Sequence, residues 1–281
     1  MKREGILESR QISPDVTFIT FYTPLSRQQL EDSLRAVTDL KAKWKLLPPM
    51  FEDWRTYLNV FFSATKRSHP HCENVLLTDE TTSIDLPEDV RIVRYPVNQE
   101  RIMYEKLCIQ IEFMKADKTD NHLVFLDNDM IVQDSLEQVF EQQFDVGFTY
   151  MFHHTGTLYA LPISNGVIIV PSRSRKKAIR FFEEVKAIYE EHFFKPELLK
   201  WQGGEYAIKK RIGIRNIDRV KAGILEVDDY RILLLDPAIY NFTSDDFFEM
   251  KDYYPDKKIL HFKHMRKPEM PIYWELHLRD L

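Results

Sequence analysis

The stretch His122-Leu-Val-Phe-Leu-Asp-Asn-Asp-Met-Ile-Val132 decides how the rest of the chain is read. Four apolar residues, Leu123 to Leu126, run unbroken into two aspartates separated by one asparagine, and the run resumes at Met130. A short continuous apolar run is the pattern of a strand buried on both faces. Ionised carboxylates are costly to bury without a partner. Asp127 and Asp129 at the end of such a strand therefore suggest a cation. Side chains at i and i+2 of an extended segment project the same way, so both carboxylates could face one ion. Oxygen ligation suits Mg²⁺ or Mn²⁺. Asp-Asn-Asp is also good turn chemistry, and the motif alone leaves both readings open.

The flanking elements place this strand in an α/β sheet. Val16 to Tyr22 is β-branched and aromatic and reads as a first strand, closed by Thr23-Pro24. A helix is expected from about Ser26 to Lys43 and ends at Leu46-Leu-Pro48-Pro49. A second amphipathic stretch runs from Phe51 to Thr65, with Trp54, Leu58, Phe61 and Phe62 as a core-facing stripe. Strands follow at Asn74–Thr78 and Val90–Tyr95, a helix at Arg101–Lys115, and then the quoted strand. A short helix is expected to start at Gln133-Asp134-Ser135, with Leu136, Val139 and Phe140 buried. The order strand–helix–strand–strand–helix–strand implies parallel pairing. In open α/β sheets, ligands bind beyond the carboxyl ends of the strands, where Asp127 and Asp129 lie. The second half is less regular. It has strands at Asp145–Tyr150, Gly166–Val170, Leu225–Val227, Ile232–Leu235 and Lys258–Phe262. Between them come a long helix from Ser172 to Phe194 and a loop opening into a helix at Trp201–Ile208.

Composition bounds the function. The chain has 281 residues, 44% hydrophobic and 13% aromatic, enough for one sizeable core. Its net charge of −5, from 39 basic and 44 acidic residues, lacks the basic excess of a nucleic-acid binder. Cys72 and Cys108 form no disulfide framework and suit a reducing compartment. The N-terminus has no apolar signal core, and no run approaches the ~18 apolar residues of a membrane span. The expected location is the cytoplasm, with no integral membrane segment. Asn241-Phe-Thr243 matches a glycosylation acceptor, but without a secretory signal it is read as chance. Met270 to Leu281 mixes aromatics with charge; a packed tail is expected, with peripheral membrane or partner contact as the alternative.

Two motifs in this order resemble the GT-A-fold glycosyltransferases. One is Leu126-Asp-Asn-Asp-Met-Ile-Val132, followed by Leu136 and Phe140. The other is His261-Phe-Lys-His-Met-Arg-Lys-Pro268. The second is similar to the closing motif His-Phe-x-Gly-x-x-Lys-Pro-Trp of the retaining branch containing glycogenin and the bacterial lipopolysaccharide galactosyltransferases (family 8-like). The resemblance implies a single α/β domain of GT-A type, with a Rossmann-like, mixed but mainly parallel sheet flanked by helices. Residues 1–132 would be its nucleotide-sugar half and 133–281 its acceptor half. It implies a nucleotide-sugar donor, usually a UDP-sugar, and a divalent cation, usually Mn²⁺. Position by position, Asp127, Asp129 and His261 would hold the metal. Lys267 would meet the diphosphate, and Lys106 would stand on the donor side. Phe21, Tyr22 and Thr23 would receive the nucleoside, with Asn128 between the aspartates on the same side. Asn165-Gly166 resembles the family's Asn-x-Gly strand with the Asn displaced by one position. Gly203-Gly204-Glu205 resembles its Gly-Asp-Gln helix start, with Glu205 for Asp and Tyr206 for Gln. His264 replaces the closing-motif glycine and Glu269 its tryptophan, which makes His264 itself a candidate phosphate contact. The stretch from Leu46 to Asn74 looks like an insertion.

Physically, two carboxylates and one neutral imidazole leave coordination positions open for phosphate oxygens. Glu205 is the candidate acceptor-side carboxylate, because a helix start after two glycines admits a close-lying sugar. It would orient the acceptor hydroxyl, or act as a base if the enzyme inverts. The expected catalytic set is thus Asp127, Asp129 and Glu205. The acceptor is a hydroxyl on a glycan, a lipid-linked sugar or a protein. Asp79 is read as a turn aspartate before a nucleoside contact, and His153-His154 as a solvated loop before an acceptor edge. Trp201, Tyr273 and Trp274 are read as packing residues before sugar-stacking ones. Two other classes stand beside the transferase reading. A sugar nucleotidyltransferase would carry a Gly-rich basic loop after the first strand, and Tyr22-Thr-Pro-Leu-Ser has no glycine. A relative that binds only nucleotide or a partner fits the substitutions at His264 and Tyr206.

Overall fold

The computed structural model describes residues 15–24, 54–150, 163–195, 198–199, 203–213, 222–244, 252–263 and 266–280. The expected helix at 26–43, the Pro48-Pro49 break, His153-His154, Trp201 and His264 lie outside the described residues.

Eight strands form one sheet, in the order β3-β2-β1-β4-β7-β6-β9-β8. They are β1 (Val16–Phe21), β2 (Glu73–Asp79), β3 (Val90–Tyr95), β4 (His122–Leu126), β6 (Val146–Tyr150), β7 (Ile163–Val170), β8 (Gly223–Val227) and β9 (Tyr230–Leu235). β5 (Met130–Val132) and β10 (Ile259–His261) make a separate antiparallel ribbon. β1, β2, β3 and β4 are mutually parallel neighbours, as the order of elements predicts. β7 pairs antiparallel with both β4 and β6, β6 pairs parallel with β9, and β8 closes the edge antiparallel to β9.

The apolar runs explain why the central strands are buried on both faces. In β4, Val124 and Leu126 enter one core while Leu123 and Phe125 enter the other. β1 and β7 divide in the same way, with Phe18, Val167 and Ile169 on one side and Ile19, Ile168 and Val170 on the other. Each fully buried aliphatic or aromatic side chain contributes roughly 1.5–3 kcal/mol, so the two layers together dominate the favourable side of folding.

The first layer holds α1 (Trp54–Ser68), the β5–β10 ribbon and α7 (Glu269–His277). α1 buries Tyr57, Leu58, Phe61, Phe62 and Thr65 at helical spacing and packs on β2, β5 and α7. The stretch expected as an insertion is therefore part of the main core from Trp54 onward. In the tail, Met270 and Tyr273 are buried, so α7 is packed as expected. Tyr273 donates to Gln133 Oε1 at 2.8 Å inside the core, which removes it as a sugar-stacking residue. Trp274 is partly buried against the same core.

The second layer holds α2 (Ile102–Ala116), α4 (Arg175–His192) and α5 (Gly203–Ile212). α2 is buried nearly all round, because it lies against both α4 and α5. Two short α-helices, α3 (Glu137–Phe140) and α6 (Pro237–Tyr240), and two 3₁₀ turns, Gln99–Arg101 and Ser172–Ser174, complete the described elements. The start expected at Gln133–Ser135 yields only this one turn, since Gln133 is pinned instead: its Nε2 donates to the carbonyls of Tyr254 and Lys257. Cys72 and Cys108 are both free. Among the described residues, no helix is long and apolar enough to cross a membrane.

Candidate metal and donor site

The chain turns at the two aspartates instead of continuing extended: residues 127–129 leave β4, reverse locally and enter β5. The plainer reading of Asp-Asn-Asp therefore describes its backbone, and the i, i+2 argument does not. The carboxylates converge for another reason, which is that two ladders close on the turn. The Asp127 amide donates to the Gly166 carbonyl of β7 at 3.1 Å, and the Phe262 amide donates to the Asp129 carbonyl at 2.8 Å. The pairing of His261 with Met130 then sets the imidazole against the turn.

Asp127, Asp129 and His261 each offer one ligand atom within 4.8 Å of the others. His261 Nε2 is 3.0 Å from Asp129 Oδ1 and 3.9 Å from Asp127 Oδ2. Each carboxylate also has its own lysine. Lys106, from α2 in the second layer, sits 2.5 Å from Asp127 Oδ1. Lys267, just before α7 in the first layer, sits 3.0 Å from Asp129 Oδ2. These five residues come from three separate stretches of the chain, around 106, 127–129 and 261–267, and the fold joins them at the carboxyl edge of the sheet.

The electrostatics follow from burial opposed by these charges. Burial pushes the Asp127 carboxyl up, but Lys106 and His261 outweigh it and hold the group below the usual carboxylate range. For Asp129, Lys267 and His261 overcome burial in the same way and hold the carboxyl well below the usual range. Burial keeps His261 below its ordinary value despite Asp129, so the ring is neutral near pH 7. Its Nδ1 lies 2.7 Å from Asn241 Oδ1, so a ring hydrogen on Nδ1 would donate there and leave a lone pair on Nε2. In that tautomer the lone pair would face Asp129 Oδ1 at 3.0 Å, and a cation between them would satisfy both. Two carboxylates and one imidazole so arranged fit a divalent cation.

Gly166 makes the approach of Asp127 feasible. A Cβ there would stand 2.6 Å from Asp127 Oδ2 and 3.0 Å from the Met130 methyl carbon. The preceding residue, Asn165, donates its amide to Glu205 Oε1 at 3.3 Å, which sets Glu205 beside the cluster. Burial, reinforced by the Asp127 charge, raises Glu205 to about 7, against the Asn165 amide and the charges of Lys263 and Lys106. The two glycines before Glu205 serve packing rather than ligand approach. A Cβ at Gly203 would collide with the buried Tyr189 ring, and one at Gly204 would press on Asn165 Nδ2 at 3.1 Å. Tyr206 turns away and stacks on Phe193, with centroids 5.6 Å apart.

At the end of β1, pairing of Thr20 with Leu126 brings Phe21 level with Asp127, and Tyr22 and Thr23 follow it out of the strand. Tyr22 stacks on Trp54 with centroids 4.8 Å apart. The Thr23 hydroxyl donates to Asp79 Oδ2 at 2.8 Å and accepts from Gln99 at 2.5 Å. Both of its roles are thus committed within the chain. Asp79 Oδ1 accepts from the amides of Thr81 and Thr82 at 2.7 and 2.8 Å, so it is the turn aspartate expected. Asn128 is half-exposed within the turn.

The residues that sequence reasoning passed over are Asn241 and Thr149. Asn241 is buried and its Nδ2 donates to Thr149 Oγ1 at 2.8 Å, so its glycosylation motif is sterically closed. The only local signal was that motif, which points elsewhere.

No family model matches the chain, and no curated protein sequence does. Solved structures do. The glycosyltransferase GlyE of Streptococcus pneumoniae TIGR4 aligns over 95% of this chain with a TM-score of 0.52 and 12% identity. The chain spans 60% of that structure's length. The galactosyltransferase LgtC, in complex with donor and acceptor sugar analogs, aligns over 94% of this chain and 96% of its own. Its TM-score is 0.50 and its identity 11%. At such identities the likeness is one of fold, and the fold is the GT-A type.

Proposed function

We infer that the chain is a metal-dependent glycosyltransferase. It moves a sugar from a nucleotide-sugar donor, a UDP-sugar, to a hydroxyl on a glycan, lipid-linked sugar or protein. The observation that carries this reading is the Asp127–Asp129–His261 donor set at the carboxyl edge of a GT-A sheet. LgtC, solved with donor and acceptor sugar analogs, supports the direction of the chemistry. Residues 1–132 serve the donor and 133–281 the acceptor, with the C-terminal motif folding back to complete the metal site. Cytoplasmic residence suits the two free thiols.

Asp127, Asp129 and His261 would hold Mn²⁺ or Mg²⁺, which would supply Lewis-acid neutralisation of the leaving diphosphate. The remaining work falls to the chain's own side chains. Lys106 and Lys267 balance the two carboxylates, so the cluster does not repel a diphosphate. Lys267, about a quarter exposed, would be the lysine to reach phosphate oxygens. Glu205, raised to about 7, is part-ionised at neutral pH. It is suited to hold, or take a proton from, an acceptor hydroxyl. The branch resemblance points to retention of configuration.

A second reading, nucleotide binding without transfer, draws on Tyr206, whose ring packs on Phe193 where the family carries a glutamine. One set of experiments separates the two. UDP with Mn²⁺ should raise the melting temperature of the wild type, and Asp127→Ala and Asp129→Ala should abolish the shift. Equal stabilisation by UDP without metal would overturn the metal site. A panel of nucleotide sugars then divides transferase from binder: the transferase slowly hydrolyses one of them in a metal-dependent manner, and the binder hydrolyses none.

A further inference from the structure

Asn241 follows the one-turn helix α6, which begins with Asp236 as its cap and Pro237 at its first position. The segment after it is laced to β10: the His261 amide donates to the Phe242 carbonyl at 2.7 Å, and Thr243 Oγ1 donates to the His261 carbonyl at 3.0 Å. Asn241 is thus carried on the same backbone unit as the imidazole it touches. Its Oδ1 faces His261 Nδ1 at 2.7 Å, and its Nδ2 donates to Thr149 Oγ1 of β6 at 2.8 Å. Thr149 is wholly buried and Asn241 nearly so, so neither has water as an alternative partner.

The other ring nitrogen decides why this matters. Nε2 lies 3.0 Å from Asp129 Oδ1, which is hydrogen-bond range. An unconstrained ring would put its hydrogen on Nε2 and donate to that carboxylate. The result would be a closed His–Asp pair with no lone pair for a cation. An acceptor at Nδ1 competes for the same hydrogen and leaves Nε2 bare. We propose that Asn241, held by Thr149, is a positioning residue that fixes the Nδ1–H tautomer of His261 and so keeps a metal site from closing into a hydrogen bond. This rests on the cation reading of Asp127, Asp129 and His261.

Two readouts on the full-length chain test it, one of them without metal. In the metal-free wild type, long-range proton–nitrogen NMR should show His261 protonated at Nδ1 and bare at Nε2. Asn241→Leu should move the hydrogen to Nε2 and raise the Mn²⁺ dissociation constant, read by electron paramagnetic resonance of free Mn²⁺, by roughly 10–100-fold. Asn241→Asp, which keeps an acceptor at Nδ1, should retain both the tautomer and Mn²⁺ binding. A purely structural role would not produce that rescue, since a buried carboxylate disturbs packing at least as much as leucine. If Asn241→Leu does not fold, Thr149→Val carries the test and should weaken Mn²⁺ binding by a smaller factor. A folded Asn241→Leu protein that keeps the Nδ1–H signature, or binds Mn²⁺ like the wild type, overturns the positioning role alone. A wild type that binds no Mn²⁺ overturns the cation reading and this proposal with it.

Discussion

Lys106 Nζ sits 2.5 Å from Asp127 Oδ1, joining a helix of the second layer to the turn that ends the central strand. Lys106 is only a tenth exposed and Asp127 a third. Lys106→Met leaves Asp127 charged, largely desolvated and beside Asp129. Removing one partner of a fully buried pair costs about 3–5 kcal/mol; the partial exposure of Asp127 reduces this to about 1–3 kcal/mol. Urea unfolding at pH 7 checks the loss. Asp127→Asn in the same chain should recover much of it, because the orphaned charge is gone. Additive losses in the double variant would mean that the ion pair carries no coupling.

Gly166→Ala tests the donor set from the opposite side. The new methyl group would meet Asp127 Oδ2 at 2.6 Å, and that oxygen is the one turned toward His261. The carboxylate can swing aside, so the stability cost should stay within about 1–3 kcal/mol. Metal binding should suffer more, because a ligand atom has been displaced: Mn²⁺ affinity is expected to fall by at least tenfold, a loss of about 1.4 kcal/mol in binding. Unchanged Mn²⁺ affinity in a folded Gly166→Ala protein would remove Asp127 from the ligand set.

What the sequence made legible divides along a physical line. β4 and β7 were readable because their unbroken apolar runs are buried on both faces, which leaves little choice of residue type, and β1 because its residues are β-branched and aromatic. The convergence of Asp127, Asp129 and His261 was legible through the two separated motifs that resemble the GT-A family. The backbone of the Asp-x-Asp segment was not. Extended and turn conformations suit the same three residues, and the deciding bonds come from Gly166 and Phe262, far along the chain. Asn241 was hidden for a related reason. Its role exists only once β6, α6 and β10 meet, and nothing local marks it. The roles of Gly203 and Gly204 were misjudged because the Tyr189 ring and the Asn165 amide that require them lie at distant positions.

Gly203→Ala gives a stability test of that packing. A Cβ there would lie 2.2–2.4 Å from the hydroxyl and ring carbons of Tyr189. Tyr189 has no room to yield: it is fully buried and its hydroxyl donates to the Leu198 carbonyl at 2.6 Å. Alanine gains up to about 1 kcal/mol in helix propensity, and overpacking costs about 1–3 kcal/mol or more. A net loss of roughly 2 kcal/mol is expected, since a rigid ring lies at the upper end of that range. Denaturant midpoints decide it; a stabilised Gly203→Ala protein would show that α5 shifts freely from α4.

Glu205 provides the pH-dependent test. Its folded value is about 7, above the ordinary 4.5. Between those values the folded state holds a proton that the unfolded state has released. Stability therefore falls as pH rises from about 4.5 to about 7, and the loss is complete above it. Glu205→Gln removes the titration while keeping an oxygen for the Asn165 amide. One pKa unit corresponds to about 1.4 kcal/mol. With allowance for partial exposure, the variant should be about 1–2 kcal/mol more stable than wild type at pH 8 and no more stable at pH 4.5. Transfer or donor hydrolysis should follow the opposite course, rising with pH through about 7 in the wild type as the carboxylate forms. That rise should be absent from the residual rate of Glu205→Gln. A wild-type profile flat from pH 6 to 8, together with equal stabilities at pH 8, would exclude Glu205 as the titrating acceptor-side group.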